Sequence, residues 1–255
     1  MRFRVPQIVG LSIPEHLVAN DPLVELKLSL LDAATPAQDA IVFGDVWGVH
    51  GAYSQRLADL GCDPVWVIDV ADTEEFERRR AATPSLLFEQ GDFSNPFYMS
   101  ELEPVPELGV AFDVLLHQGP LITTVHLILD HCQRAICIAQ PMMKEQNLPN
   151  ALVYLPGSPN AEELVPSYAH IEEDGRDVVR AGNPEHVNPA YWLWGMTRSF
   201  LVNLLVGEGF EITTEERGPD LDHPNWYLWG CVAERRRANP LHWSDAHPYP
   251  TRDPS

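Results

Sequence analysis

The chain has 255 residues, 45% of them hydrophobic and 21% charged, which suits one sizeable α/β domain with an ordinary core. Its 37 acids against 17 bases leave a formal net charge of −20, a field that opposes duplex or tRNA partners and leaves a small molecule as the expected one. No run of about 18 apolar residues occurs, so no membrane span is expected, and the start Met-Arg-Phe-Arg-Val-Pro lacks the apolar run of a signal peptide, so a cytoplasmic location is expected.

Lys27 and Lys144 are the lysines, and the basic clusters are Arg78-Arg79-Arg80 and Arg235-Arg236-Arg237. Cys62, Cys132, Cys137 and Cys231 match no zinc-ligand spacing and read as buried, reduced thiols.

Residues 1–38 read as a lead-in with one helix, Pro22–Ala34, for which Asp21 is a candidate N-cap. A regular alternation follows. Asp39–Val46 reads as a buried strand, Gly51–Gly61 as a helix, Pro64–Val70 as a second strand and Thr73–Ala82 as a charged helix capped by Thr73. Leu86–Gln90 is a third strand and Phe112–His117 a fourth. Leu121–Cys132 is a helix and Arg134–Gln140 a fifth strand. Such alternation implies βαβ units and a mainly parallel sheet. Ligands of such sheets bind beyond the carboxyl ends of the strands.

Residues 39–141 thus form the core unit. Residues 142–188, rich in Pro, Asn, Glu and Asp, read as an insertion serving as an acceptor lid. Residues 189–236 hold a helix over Asn188–Gly209 and two strands, Phe210–Arg217 and Trp226–Arg235. Residues 237–255 are a polar, Pro-rich tail.

The candidate site residues stand at strand ends. Gly48 and Gly51, after strand one, let backbone approach a ligand at a helix N-terminus. Asp69 ends strand two and can accept both hydroxyls of a ribose. Asp92 follows strand three and can accept an adenine amino group, with Phe93 beside it to line the ring. His117 stands at the end of the fourth segment, where a histidine suits proton transfer near neutrality. His126 and His131 read as helix or surface residues. Trp192, Trp194 and Arg198 lie where an acceptor pocket could draw on them, although packing and exposure are the simpler readings.

These segments resemble the class I S-adenosylmethionine-dependent methyltransferases over roughly residues 39–141 and 188–236. The similarity rests on DVWGVHGAYS, VIDV, EQGDF, FDVLLHQGPL and the ending GEGFEITTEERG followed by NWYLWGCVAERR. The resemblance implies an α/β fold with a seven-stranded, mostly parallel sheet, helices on both faces and the last strand antiparallel. It implies S-adenosylmethionine as cofactor, bound by Asp45, Gly48, Gly51, Asp69, Asp92, Phe93 and His117. It implies methyl transfer to a small molecule on oxygen or nitrogen, with His117 as the catalytic candidate. The family's glycine pattern is altered here: Trp47 and Val49 stand where its first two glycines usually stand. Trp47 in that loop motivates an alternative, a non-catalytic binding protein of the same fold. A dinucleotide-dependent oxidoreductase is a weaker alternative, because Gly-x-Gly-x-x-Gly is absent. No acid pair suggests a Mg²⁺ site, so no metal is expected.

Overall fold

The computed structural model describes residues 22–46, 49–70, 72–145, 148–154, 193–220 and 226–236. Trp47, Gly48, Trp192, the Asp21 cap, most of the 142–188 insertion and the tail lie outside the described residues.

Helix α1 (Pro22–Ala34) leads into β1 (Ala40–Phe43), α2 (Ala52–Asp59), β2 (Val65–Asp69), α3 (Glu74–Ala82), β3 (Leu86–Gln90) and α4 (Pro96–Glu101). Then come β4 (Leu108–Phe112), a 3-10 turn at Leu115–His117, α5 (Leu121–Asp130) and β5 (Ala135–Met143). A short ribbon, β6 (Ala151–Tyr154) with β7 (Leu193–Met196), precedes α6 (Arg198–Gly207), β8 (Phe210–Asp220) and β9 (Trp226–Arg235).

The main sheet has seven strands in the order β3-β2-β1-β4-β5-β9-β8. The first five are mutually parallel, while β9 runs antiparallel to both β5 and β8. Chain order reverses between β1 and β4, the switch point where doubly wound sheets bind ligands.

Both faces of the central strands are buried, so these strands read as continuous apolar runs. On β5, Ile136 and Ile138 face a cluster with Met99 of α4, Val125 and Ile128 of α5, and Leu201 and Leu205 of α6. The alternate residues Ala135, Cys137 and Ala139 face Leu30 and Leu31 of α1 and Leu57 of α2. All four cysteines are buried and unpaired.

Three sequence expectations are corrected. Strand four is Leu108–Phe112 rather than Phe112–His117. Gly109 lies inside this strand, and a Cβ there would stand 2.1 Å from the sulfur of Cys132, just past α5, so the chain packs where only glycine fits. Asp113, at φ 55°, then turns the chain out of the sheet. Strand five runs on through Pro141 to Met143. Proline is tolerated because β4 pairing ends at Ala139, leaving β9 as the neighbour there. The helix expected over Asn188–Gly209 is Arg198–Gly207, preceded by strand β7. Its boundary is Thr197, whose hydroxyl accepts the Phe200 N–H, while β7 pairs with β6.

Candidate functional site

The loop after β1 is held by its own acid. Asp45, 1% exposed, accepts the N–H groups of Ser54 at 2.7 Å and Tyr53 at 3.3 Å, the second and third residues of α2. It therefore caps the helix in place of Gly51, which occupies the N-cap position without a side chain. Burial lifts the Asp45 pKa to about 6, against the lowering effect of those hydrogen bonds, and the charge of Asp69 pushes the same way.

Gly51 has φ 79°, and a Cβ there would stand 2.4 Å from the Phe76 ring of α3. Both backbone and packing require glycine at this position. Gly44, directly after β1, was not singled out in the sequence. At φ 76° it lets Val114 approach, since a Cβ would stand 2.4 Å from Val114 Cγ1. The ends of β1 and β4 close together through that contact.

Asp69, at the end of β2, is 4% exposed, and its Oδ2 accepts the Val46 N–H at 2.9 Å. It ties the second strand to the loop of the first. Asp92 is exposed, with Oδ1 accepting the Ser94 N–H at 2.9 Å and hydroxyl at 2.7 Å. Phe93 is 5% exposed and packs edge-on against Phe43, with ring centroids 5.6 Å apart.

His117 is half-buried at the end of the 3-10 turn that follows β4, on the same carboxyl edge. The other two histidines of this region face elsewhere. His126 meets Glu208, just past α6, at 2.8 Å, and the His131 ring lies within hydrogen-bond distance of the Leu127 and Leu102 carbonyls. The Trp194 indole donates to the Gln118 carbonyl at 2.7 Å, so ribbon β6–β7 is pinned over the 3-10 turn. Arg198 instead grips Glu215, and its guanidinium meets Oε2 at 2.6 Å. Arg78 and Arg80 pair with Glu75 and Glu77 on their own helix, and Arg235 donates to the Leu129 and Cys132 carbonyls.

The sequence reading did not single out Lys27, Tyr53 and Asp113 as site residues. Lys27 of α1 is 5% exposed and forms an ion pair with Asp113 at the end of β4. Its ammonium lies 5.7 Å from the Tyr53 ring centroid. Burial pulls the Lys27 pKa down, but the charge of Asp113 and its hydrogen bond outweigh this, and the net shift is upward. The Tyr53 hydroxyl is pushed up to about 12, mainly by burial. A signal was present: Lys27 shares the buried helical stripe with Val24, Leu30, Leu31 and Ala34, a position where an unpaired ammonium would be costly.

Among the described residues, no group of three or more His, Cys, Asp or Glu side chains could hold a metal ion, and no helix is long and apolar enough to cross a membrane.

No family model and no curated protein sequence matches the chain. Solved structures do. The 1,6-didemethyltoxoflavin-N1-methyltransferase of Burkholderia thailandensis, with 1,6-didemethyltoxoflavin and S-adenosylhomocysteine bound, superposes with a TM-score of 0.57 at 12% identity. That match covers 88% of this chain and 82% of the other. The chain has the class I methyltransferase fold. The N-terminal domain of EvdMO1, solved with S-adenosylhomocysteine and D-fucose, matches at a TM-score of 0.57 and 11% identity, covering 85% of this chain and 84% of that one. The N-methyltransferase NodS from Bradyrhizobium japonicum WM9, in complex with S-adenosylhomocysteine, matches at 0.51 and 11%, covering 88% and 96%. In the methyltransferase fold of this chain, β9 and β8 close the sheet beyond β5, and the acids stand at the edge opened by the switch point.

Proposed function

We propose that the protein transfers a methyl group from S-adenosylmethionine to an oxygen or nitrogen of a small-molecule acceptor. One observation carries this reading: Asp45, Asp69 and Asp92 follow three adjacent parallel strands, around the left-handed turn at His50 and Gly51. The donor chemistry fits the cofactor. Ribose hydroxyls and an adenine amino group are hydrogen-bond donors, and carboxylates at this edge are acceptors matched to them. Asp92 keeps its Oδ2 uncommitted, since both its bonds fall on Oδ1.

When bound, S-adenosylmethionine supplies an electrophilic methyl group on a positively charged sulfur. The chain's residues do the rest. Asp69 holds the ribose and Asp92 the adenine edge, with Phe93 backing the pocket from the core. Asp45 holds the loop that carries Gly48 and Gly51 against α2, and that loop passes the ligand. His117 accepts the acceptor's proton from the end of the 3-10 turn. Alignment of acceptor, methyl and sulfur then supplies much of the rate. Residues 39–141 act as the cofactor unit and residues 142–188 as the acceptor lid.

Titration calorimetry with S-adenosylhomocysteine tests the reading. Binding that weakens at least tenfold in Asp69→Ala is expected, and absence of heat at millimolar S-adenosylhomocysteine and S-adenosylmethionine overturns it. A second reading, a binding protein of this fold without turnover, is favoured by Val49, which replaces a usual glycine and packs on the apolar cluster around Leu57 and Tyr53. Methyl transfer to any acceptor in a library of small alcohols, phenols and amines refutes it.

A further inference from the structure

Helix α6 is apolar around most of its circumference. Leu201 and Leu205 are buried against the sheet, Phe200, Val202 and Leu204 are half-buried, and Val206 is 57% exposed. Of its polar residues, Arg198 is held by Glu215 and Ser199 by Glu145, both near the first turn. A helix that is apolar on all sides belongs under cover, and a surface helix needs only one apolar stripe. Val202 and Val206 stand four residues apart and so share one flank. Helix α5 occupies the opposite flank, where His126 meets Glu208 just past α6. The valine flank therefore looks outward over β8, the last strand of the sheet. Half-buried Ile212 of β8 extends the apolar surface.

The chain leaves the sheet beside this flank. At the end of β9 the Arg236 N–H donates to the Gly209 carbonyl at 3.0 Å, three residues past Val206. The Arg236 guanidinium meets Glu211 of β8 at 3.0 Å, which turns the exit toward the edge strand. Residues 237–255 follow, and Leu241 and Trp243 are their first large apolar residues. An extended chain spans up to about 3.5 Å per residue, so both side chains can reach the flank, where the two valines lie about 6 Å apart along the helix axis. A second copy of the chain fits this surface poorly. It would bring together Glu211, Glu215 and Glu216 of two edge strands in a protein of net charge −20. Strand β8 also carries Pro219 and two shifts of register, features that oppose edge-to-edge pairing.

We propose that residues 237–255 return over the outer flank of α6, with Leu241 and Trp243 seated on Val202, Val206 and Ile212. The inference stands apart from the methyl-transfer reading, since this flank belongs to the closing edge of the sheet and not to the strand ends that carry Asp45, Asp69 and Asp92. Trp243 supplies a large apolar face with few rotatable bonds, which suits an anchor. The tail is then an intramolecular cover for the last helix and the edge strand.

Hydrogen exchange read by mass spectrometry on the full chain tests this. Trp243→Ala is expected to speed exchange over residues 199–207 and 210–213 at least about fivefold, and to leave residues 40–43 and 65–69 unchanged. Trp243→Phe is expected to keep most of the protection. In a Val206→Ala background the Trp243→Ala change is expected to add less than about twofold, because the two side chains meet. Sedimentation separates the tail from a second copy, and the full chain is expected to run as a monomer. Unaltered exchange over α6 in Trp243→Ala overturns the proposal, as does full additivity with Val206→Ala. A dimer whose dissociation on dilution speeds exchange over α6 overturns it in favour of a second copy.

Discussion

The environment of Asp45 fixes both the sign and the size of a pH-dependent change in stability. Burial raises its pKa from 3.8 to about 6 in the folded chain. Between those values the folded state holds a proton that the unfolded state has lost, so stability rises as pH falls through 6. Above pH 6 the folded state carries the buried charge at a cost of about 3 kcal/mol, from two units at roughly 1.4 kcal/mol each. Asp45→Asn removes the titration and keeps an acceptor oxygen for the Ser54 N–H. Urea unfolding of both proteins across a pH series isolates this group, because the other carboxylates cancel in the difference. That difference is expected to move in favour of the wild type by about 2 kcal/mol between pH 7.5 and pH 4.5, the part of the full shift that falls in the window. A flat difference, or one that favours the wild type more at high pH, would refute the assignment of burial as the dominant effect.

Three further outcomes follow from the same geometry. Gly51→Ala forces a Cβ into both the left-handed region and the Phe76 ring, and a loss of about 2–4 kcal/mol in urea unfolding is expected. Phe76→Leu in the same chain should restore part of it. Trp194→Phe deletes the indole bond to Gln118 and is expected to speed amide exchange over residues 115–118, at a stability cost of about 1 kcal/mol. Asp92→Asn, at an exposed acid, should weaken S-adenosylhomocysteine binding less than Asp69→Asn does, and the reverse order in calorimetry would contradict the assigned roles.

The fold was legible wherever periodicity and punctuation agreed. Pro22–Ala34, Leu86–Gln90 and Trp226–Arg235 match their observed bounds, because each is an apolar run with a clear boundary. The errors came where tertiary packing overrode a local signal. Strand four was begun too late and strand five ended too early: Gly109 lies within β4, where Cys132 leaves no room for a side chain, and Pro141 continues β5 past the end of β4 pairing. The run before Thr197 was apolar enough to pass for helix, and its pairing with β6 across a long sequence separation leaves no local trace. The same distinction governs the site. Asp45, Asp69 and Asp92 could be placed at strand ends because each stands at or just past a recognisable strand, whereas His117 was read as the end of a strand and instead ends the 3-10 turn. Asp113 was hidden by the misplaced fourth strand, which put it inside an element instead of at its end. Lys27 was visible as a lone charge on an apolar stripe, but its partner is 86 residues away, and no spacing rule reaches that far.

A nucleoside ligand bound at the carboxyl edge above β1, β2 and β3 would cover the loops that follow those strands. Amide hydrogen exchange of the full chain with and without S-adenosylhomocysteine tests this most directly. Slower exchange is expected over residues 45–54, 69–73 and 91–95, with the amino-terminal ends of the same strands unchanged. Unaltered exchange in all three loops at saturating ligand, or protection confined to another face, would contradict it.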